Sequence, residues 1–557
     1  MRIPALAIAA ALALPAAALP AAAWAAPADL VIWGGPIYTA VDAQPKVEAV
    51  AVTHGRIAFA GARAGAKALV GPKTKVIDLK GATLFPGFTD SHAHLREIGE
   101  RELTLNLEGS KSAAEVTARL KAYLAEHPPA GLVVGGGWIE TGWPEGRFLD
   151  RTDLDTAAPT TPVLLQRADG HALTANSAAL KAAGIDETTA APAGGQILKG
   201  PDGKPTGMLV DNAMGLVARL RTAPSRDQTL AAYRAAFRVE TAYGWTGVHF
   251  MSVDWADVPL LEEMDKNGEA TLRVYNAVSG QQAGPLFASG PRATADGRIT
   301  TRAIKLFMDG ALGSRGAALF EPYSDAPGLQ GTFVTDPAVM RPLMAKALAS
   351  GIQVSTHAIG DRGNATALDL YEEAFKADPA AGKAGRWRIE HAQIVRPADI
   401  PRFHADAVIA SMQPSHAIGD FHFAPARLGK ERLKGAYAWK SLLDSGAVVV
   451  GGSDAPVERG APLIEFYAAV ARKDLQGFSN ADWHPEERLS RAEALKLFTS
   501  SPAYARFAEK ELGSISVGKR ADFSGFSVDL MTAPEAAIPK GHAVLTVVDG
   551  QVVYDNR

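Results

Sequence analysis

Phe85-Pro86-Gly87-Phe88-Thr89-Asp90-Ser91-His92-Ala93-His94 is the stretch on which the fold turns. An apolar run, Thr83–Thr89, reads as a strand and leads directly into Asp90-Ser91-His92-Ala93-His94. In extended chain, residues i and i+2 point to the same side, so His92 and His94 can aim two imidazoles at one ion. The pair alone is a weak signal, because the chain has 13 histidines and a lone His-x-His is more often structural. Its weight comes from what recurs downstream. His357 ends the apolar run Gln353–Thr356, His391 ends Arg388–Glu390, and Asp454 follows Ala447–Gly451. Each polar group stands where a parallel strand would finish, and in an eight-stranded α/β barrel that is the reactive face.

Working outward, the middle of the chain alternates apolar strands with helical patterns, which predicts parallel βα units. Candidate strands are 83–89, 247–251, 272–278, 303–308, 353–356, 388–390, 408–412 and 447–451, the eight needed to close a barrel. His249 to Asp454 spans six repeats of about 34 residues, near the roughly 30 of a 250-residue barrel. The first repeat is about 120 residues too long, which predicts an insertion of mixed α/β character after the first strand, at about residues 100–240. Both ends have a different texture. Short strands at 29–39, 49–53, 56–60 and 75–78 are matched by 521–526 and by a hairpin over 544–554 with an Asp549-Gly550 turn. The expected fold class is therefore α/β: a (β/α)8 TIM-like barrel, a small β-sandwich built from both termini, and an α/β insertion. The expected divisions are β-sandwich at 26–82, barrel at 83–457, final barrel helices at 458–510 and β-sandwich again at 511–557.

Composition narrows the chemistry. The 557 residues are 47% hydrophobic and 21% charged, with a net charge of −3, so the chain is globular and shows no basic excess for nucleic acid. Cysteine is absent, which excludes disulfides, Cys-ligated zinc, Fe–S clusters and thiol nucleophiles. No Gly-x-Ser-x-Gly elbow follows a strand; Gly313-Ser314-Arg315-Gly316 lacks the spacing. Residues 1–25 read as a cleavable signal peptide: Arg2, an Ala/Leu-rich run interrupted by Pro15 and Pro20, and the small-x-small site Ala23-Trp24-Ala25. A periplasmic or secreted product without stable membrane insertion is the expectation.

The order His-x-His, Lys, His, His, Asp resembles the metal-dependent amidohydrolase superfamily, and more narrowly its amidohydrolase-3 group. The resemblance runs from about residue 28 to 557. It rests on the opening stretch, Lys305-Leu306-Phe307-Met308-Asp309-Gly310, His357-Ala358-Ile359-Gly360-Asp361-Arg362, Glu390-His391-Ala392-Gln393, Ser411-Met412-Gln413-Pro414, Gly452-Ser453-Asp454-Ala455-Pro456-Val457 and the Gly513 to Asp522 segment. It implies a metallohydrolase in which His92, His94, Lys305, His357, His391 and Asp454 are the ligand set. His92 and His94 would hold one divalent ion, His357 and His391 a second, and Lys305, as an N6-carboxylysine, would bridge them. Zinc is the default for His and carboxylate donors, while one or two ions remain open. Asp454 is the implied catalytic residue, exchanging a proton with the metal-activated water. Lys305 as an ordinary lysine paired with Asp309 is the alternative.

Weaker candidates surround that set. Asp90 and Asp361 are expected to orient His92 and His357, with a helix N-cap as the other reading of Asp361. Trp138, His171, His249 and Arg315 are candidate substrate-binding residues; the alternative is core packing for Trp138 and His171, metal ligation for His249 and a surface ion pair for Arg315. Where related chains commonly carry Glu in a Gly-x-Leu-x-Glu stretch, this one has Gly207-Met208-Leu209-Val210-Asp211, and Ala311 follows Gly310 where Ser is common. The functional expectation is hydrolysis of an amide or N-acyl C–N bond in a small, partly apolar molecule. The alternatives are esters, lactones, phosphotriesters or ring deamination at the same site, or a non-catalytic binding protein. The expected partner is a small-molecule substrate and not nucleic acid, with a homodimer left open.

Overall fold

The computed structural model describes residues 27–557 apart from 129, 130, 141 and 480, so the signal-peptide reading of residues 1–25 lies outside the described residues. Eight parallel strands form the barrel: Phe88–Ala93, Trp245–Val253, Arg273–Ser279, Ile299–Phe307, Gln353–Ala358, Arg388–His391, Ile409–Met412 and Val449–Gly451. Seven parallel pairings link them in chain order. The first and eighth strands are joined at their C-terminal ends, where the Asp454 N–H donates to the His92 carbonyl (2.7 Å) and the His94 N–H donates to the Ala455 carbonyl (2.8 Å). Most of these strands are buried along their whole length, as parallel strands covered by helices must be. The main hydrophobic core packs the surrounding helices onto the barrel.

The predicted first strand, 83–89, is two strands. Thr83–Pro86 belongs to the terminal sheet, and Phe88–Ala93 begins the barrel. Gly87 is the pivot: its N–H donates to the Asp522 carbonyl, and a Cβ there would run into Thr246 Oγ1 and the Asp522 side chain. The two structural units approach so closely at this point that no side chain fits.

Strands from both termini do form one β unit. Its eight strands are a continuous hydrogen-bonded sheet, with Phe523–Phe526 antiparallel to Thr83–Pro86 and the C-terminal hairpin Ala543–Val548/Gln551–Asp555 beyond it. Asp549 and Gly550 both have positive φ, as the two-residue hairpin turn requires. Arg273, from the barrel, donates to Asp522 Oδ2 (2.6 Å) and also reaches Asp549, while Arg298 Nη2 donates to Asp549 Oδ2 (3.2 Å), fixing the sheet against the barrel floor.

The insertion is a six-stranded mixed sheet, in the order Gly195–Lys199, Pro205–Asp211, Ala172–Ala175, Val163–Arg167, Val133–Trp138, Leu105–Asn106, with a hydrophobic cluster on each face. Its helices begin at side-chain caps, including Asn176, which accepts from the Ala179 N–H. The long helix Arg226–Tyr243 packs against Leu95–Leu103 and feeds the second barrel strand, so it is part of the barrel rather than of the insertion. Among the described residues no helix is long and apolar enough to cross a membrane.

Two outcomes test this packing. Gly87→Ala should lower stability by about 1–3 kcal/mol, measured by denaturant unfolding, because the added methyl overpacks the junction. Glu465, buried in helix Pro462–Ala471, accepts the Ser415 N–H through Oε2, while Oε1 has no partner. Burial pushes its carboxyl from 4.5 up to about 8, against the hydrogen bonds from Ser415. The folded state therefore keeps a proton that the unfolded chain releases above its own pKa, and stability falls as pH rises through the window from 4.5 to 8. Glu465→Gln should remove that decline, so its thermal stability relative to the unsubstituted protein should improve between pH 5 and pH 8.5.

Candidate metal centre

All six residues of the expected ligand set lie at the C-terminal ends of barrel strands. His92 is on the first strand and His94 just beyond it, Lys305 is on the fourth, His357 on the fifth, His391 on the sixth, and Asp454 follows the eighth. His92, His391 and Asp454 offer donor atoms within 4.8 Å of one another. His92 Nε2 and His94 Nε2 converge on Asp454 Oδ1 at 3.3 and 3.2 Å, and Lys305 Nζ is 3.3 Å from His92 Nε2. The His357 and His391 rings are 4.5 Å apart, and the His92 and His391 rings 4.8 Å. His391 and Asp454 both have positive φ (74° and 61°), a backbone state that non-glycine residues seldom adopt and that marks strain concentrated at this site.

Asp454 Oδ1 and His357 Nε2 are buried without hydrogen-bond partners. Buried polar atoms without partners are costly, and a divalent ion would satisfy both. Burial holds the His357 and His391 rings well below the usual histidine range, and burial with the nearby Lys305 ammonium lowers His92. They are therefore neutral imidazoles, the form that ligates. Burial would raise Asp454, yet the His92, His94 and His391 rings outweigh it and keep the carboxylate ionised. Burial pushes Lys305 down to about 8 against the pull of Glu390 and Asp454. The donors fit a metal.

The supporting carboxylates differ from those expected. Glu390 Oε2 sits 2.7 Å from His92 Nδ1, so Glu390, not Asp90, holds that ring; Arg388, with Nη2 2.9 Å from the same oxygen, keeps Glu390 ionised despite its burial. Asp90 instead accepts the His92 and Ser453 N–H groups and the Ser453 hydroxyl, tying the first strand to the eighth. For His357 the nearest carboxylate is Asp309, at 3.6 Å, which also accepts the Ala318, Ile359 and Gly360 N–H groups. Asp309 is thus committed to the backbone and does not pair with Lys305. Asp361 opens the helix Asp361–Phe375 and accepts the Phe320 and Arg362 N–H groups, so it has the local structural role and not the one toward His357.

The substrate candidates divide in the same way. Trp138 is fully buried in the insertion core beside Trp143, with its indole N–H on the Leu165 carbonyl, and it does not wall the site. His249 lies inside the barrel, where its Nδ1 meets Arg388 Nη1 at 2.8 Å. Arg315 pairs with Asp325 (3.0 Å) and lines an outer groove with Gln196, Leu329 and Thr332. His171 does reach the site: its ring centroid is 5.1 Å from that of His357.

One residue escaped the sequence reading. His416, two positions beyond the Gln413-Pro414 stretch and just past the seventh strand, is buried and stacks on His391 at 5.9 Å. Its Nε2 has no hydrogen bond and stands 3.7 Å from Asp454 Oδ2. The available signal was its position after a barrel strand. Gln413, which the reading did include in its motif, holds His391 through Oε1 at 2.8 Å.

A closed ring of parallel strands with neutral imidazoles, a lysine and an ionised aspartate at one end defines a metal-dependent hydrolase barrel. The chain belongs to the Amidohydrolase family, whose model matches residues 75–554. It is 36% identical to YtcJ of Bacillus subtilis, named as an amidohydrolase, over 537 residues covering 94% of this chain and 99% of that one. It is 28% identical to the N-substituted formamide deformylase of Arthrobacter pascens over 95% of this chain and 98% of the relative. A crystal structure of a metal-dependent hydrolase from Pyrococcus horikoshii, uncharacterized by its description, superposes with a TM-score of 0.74 at 27% identity, covering 91% and 99%.

Because the His92 ring depends on Glu390, Glu390→Gln should weaken metal affinity by about 10- to 100-fold while the protein stays folded, as measured by competition with a chromogenic chelator.

Proposed function

We propose that the protein hydrolyses the C–N bond of an amide or N-acyl group in a small, partly apolar molecule. The observation that carries this reading is the ionised Asp454 carboxylate, buried at the meeting point of His92, His94 and His391. His92, His94, His357, His391 and Asp454 would hold the metal, with zinc favoured by the donors and Lys305 joining them as a carbamate. Support for the carbamate is positional: Lys305 is buried, 3.3 Å from His92 Nε2, and Asp309 is occupied elsewhere. When bound, the ion supplies a water of lowered pKa and polarises the scissile carbonyl.

The remaining steps belong to the chain. Asp454 accepts the proton of the attacking water and delivers it to the departing nitrogen, which an amine leaving group requires. Glu390 keeps the His92 ring oriented, and Gln413 does the same for His391. Phe307, 5.5 Å from the His357 ring, supplies apolar surface beside the site. The deformylase relative's named substrate class, N-substituted formamides, falls within this chemistry. Export to the periplasm or medium is part of the same reading and rests on residues 1–25; the mature N-terminus should be Ala26 by Edman or mass-spectrometric sequencing.

The test is a metal-loaded substrate screen across formamides, N-acyl amino acids, anilides, esters and lactones. Amide or formamide turnover that disappears in Asp454→Asn and His92→Ala, with a loss of at least about 100-fold, is the expected result. Turnover of esters, lactones or phosphotriesters alone would replace the C–N assignment. A protein that binds no stoichiometric zinc, manganese or cobalt and hydrolyses nothing would end the reading.

A further inference from the structure

We propose that the inserted domain contributes a substrate contact to the site: His171 hydrogen-bonds a polar group of the substrate held against His357, and Asp211 is the positioning residue that fixes its ring. The inference rests on the hydrolase reading above and deepens it by giving the insertion a chemical part.

The pair is built from the ends of two neighbouring strands. His171 immediately precedes strand Ala172–Ala175, and Asp211 ends the antiparallel strand Pro205–Asp211. The Asp211 N–H donates to the His171 carbonyl (2.8 Å), and Asp211 Oδ1 is 2.7 Å from His171 Nδ1. With Nδ1 committed to a carboxylate, Nε2 is the ring atom left for a ligand. The ring centroid lies 5.1 Å from that of His357, so the ring stands beside the metal centre although its backbone belongs to another sheet.

The barrel is shaped around this carboxylate. A Cβ on Gly310 would stand 2.8 Å from Asp211 Oδ2, and one on Gly316 would stand 2.7 Å from it. Neither glycine has positive φ, so each is small for lack of room and not for backbone freedom. Asp211 itself has φ 49° and ψ −125°, a strained state for a residue with a side chain. A carboxylate needed only to hold the insertion together would not require a strained backbone and two barrel glycines around it. His171 also retains 17% side-chain exposure, whereas His92 and His357, at 0% and 2%, are closed off. With His94, at 20%, it is one of the two imidazoles of the group most open to an incoming molecule.

The experiment uses the full-length, zinc-loaded protein with 4-nitroacetanilide and 4-nitrophenyl acetate as probes. His171→Ala should cut kcat/KM by about 30-fold, the scale of one hydrogen bond to a charged group, with zinc content and melting temperature unchanged and partial rescue by added imidazole. Loss on both probes identifies the acyl oxygen as the atom contacted, and loss on the anilide alone identifies its N–H. Asp211→Asn and Gly316→Ala should each give part of the same loss, and neither should worsen His171→Ala, because all act through one ring. Activity within twofold of the unsubstituted protein in His171→Ala, or a loss that tracks departure of zinc, overturns the proposal.

If the unsubstituted protein turns over neither probe, hydrolysis of these classes fails, and the contact is judged by binding. Histidine-labelled protein should then show one imidazole with Nδ1 fixed in a hydrogen bond, released in Asp211→Asn and shifted by saturating acetanilide. An unshifted resonance overturns the proposal independently of turnover.

Discussion

Two backbone hydrogen bonds, from Asp454 to the His92 carbonyl and from His94 to the Ala455 carbonyl, are the constraint on which everything else depends. They close the barrel at the end where the first strand meets the eighth. The same bonds place the His-x-His pair beside the aspartate that arrives more than 350 residues later. Ring closure and assembly of the site are therefore one event. Asp90 reinforces it by accepting N–H groups from both strands, and Gly452 lets the His92 backbone pass close by.

Beneath the ligands lies a second layer that is polar where most barrel interiors are aliphatic. Arg388 sits at its centre, fully buried, and touches Glu390, His249, Ser411 and the Ser91 carbonyl. A buried guanidinium is tolerable only when its donors are matched, and here the matching acceptor in turn grips His92. A chain of contacts thus runs downward from the imidazole to Glu390 to Arg388, and the geometry of the reactive face is set from inside the barrel. This explains how the lysine and the histidines can be so fully desolvated without collapsing into arbitrary rotamers.

Much of this was legible in the sequence because strand ends are local events. An apolar run followed by His or Asp marks the reactive face whatever the rest of the chain does, and seven of the eight barrel strands fall where alternation and spacing placed them, the first starting only at Phe88. What escaped were contacts that depend on non-local packing. Asp90 adjoins His92 in sequence and looked like its partner, yet the ring turns toward Glu390, 298 residues away. Glu390 and His391 are neighbours in one strand yet both meet His92, the carboxylate at Nδ1 and the imidazole at a ring separation of 4.8 Å, and no pattern of residue types predicts that. The run 83–89 reads as one strand because its apolar residues are continuous. The break at Gly87 is imposed by Thr246 and Asp522, which come from other parts of the chain. Trp138 stands as a substrate candidate in the sequence, but tertiary packing draws it into the insertion core.

The break at Gly87 also bears on the order in which the molecule is completed. Thr83–Pro86 is hydrogen-bonded to Phe523–Phe526, and six residues after Pro86 the chain reaches His92. The strand that anchors the ligand-bearing segment waits for a neighbour that leaves the ribosome almost last. Vectorial synthesis can lay down the insertion and the middle strands early. The segment that carries the first two imidazoles gains its full support only when the final hairpin arrives. A chain cut short by some forty residues would keep every candidate ligand and lose the scaffold that holds the first two in register.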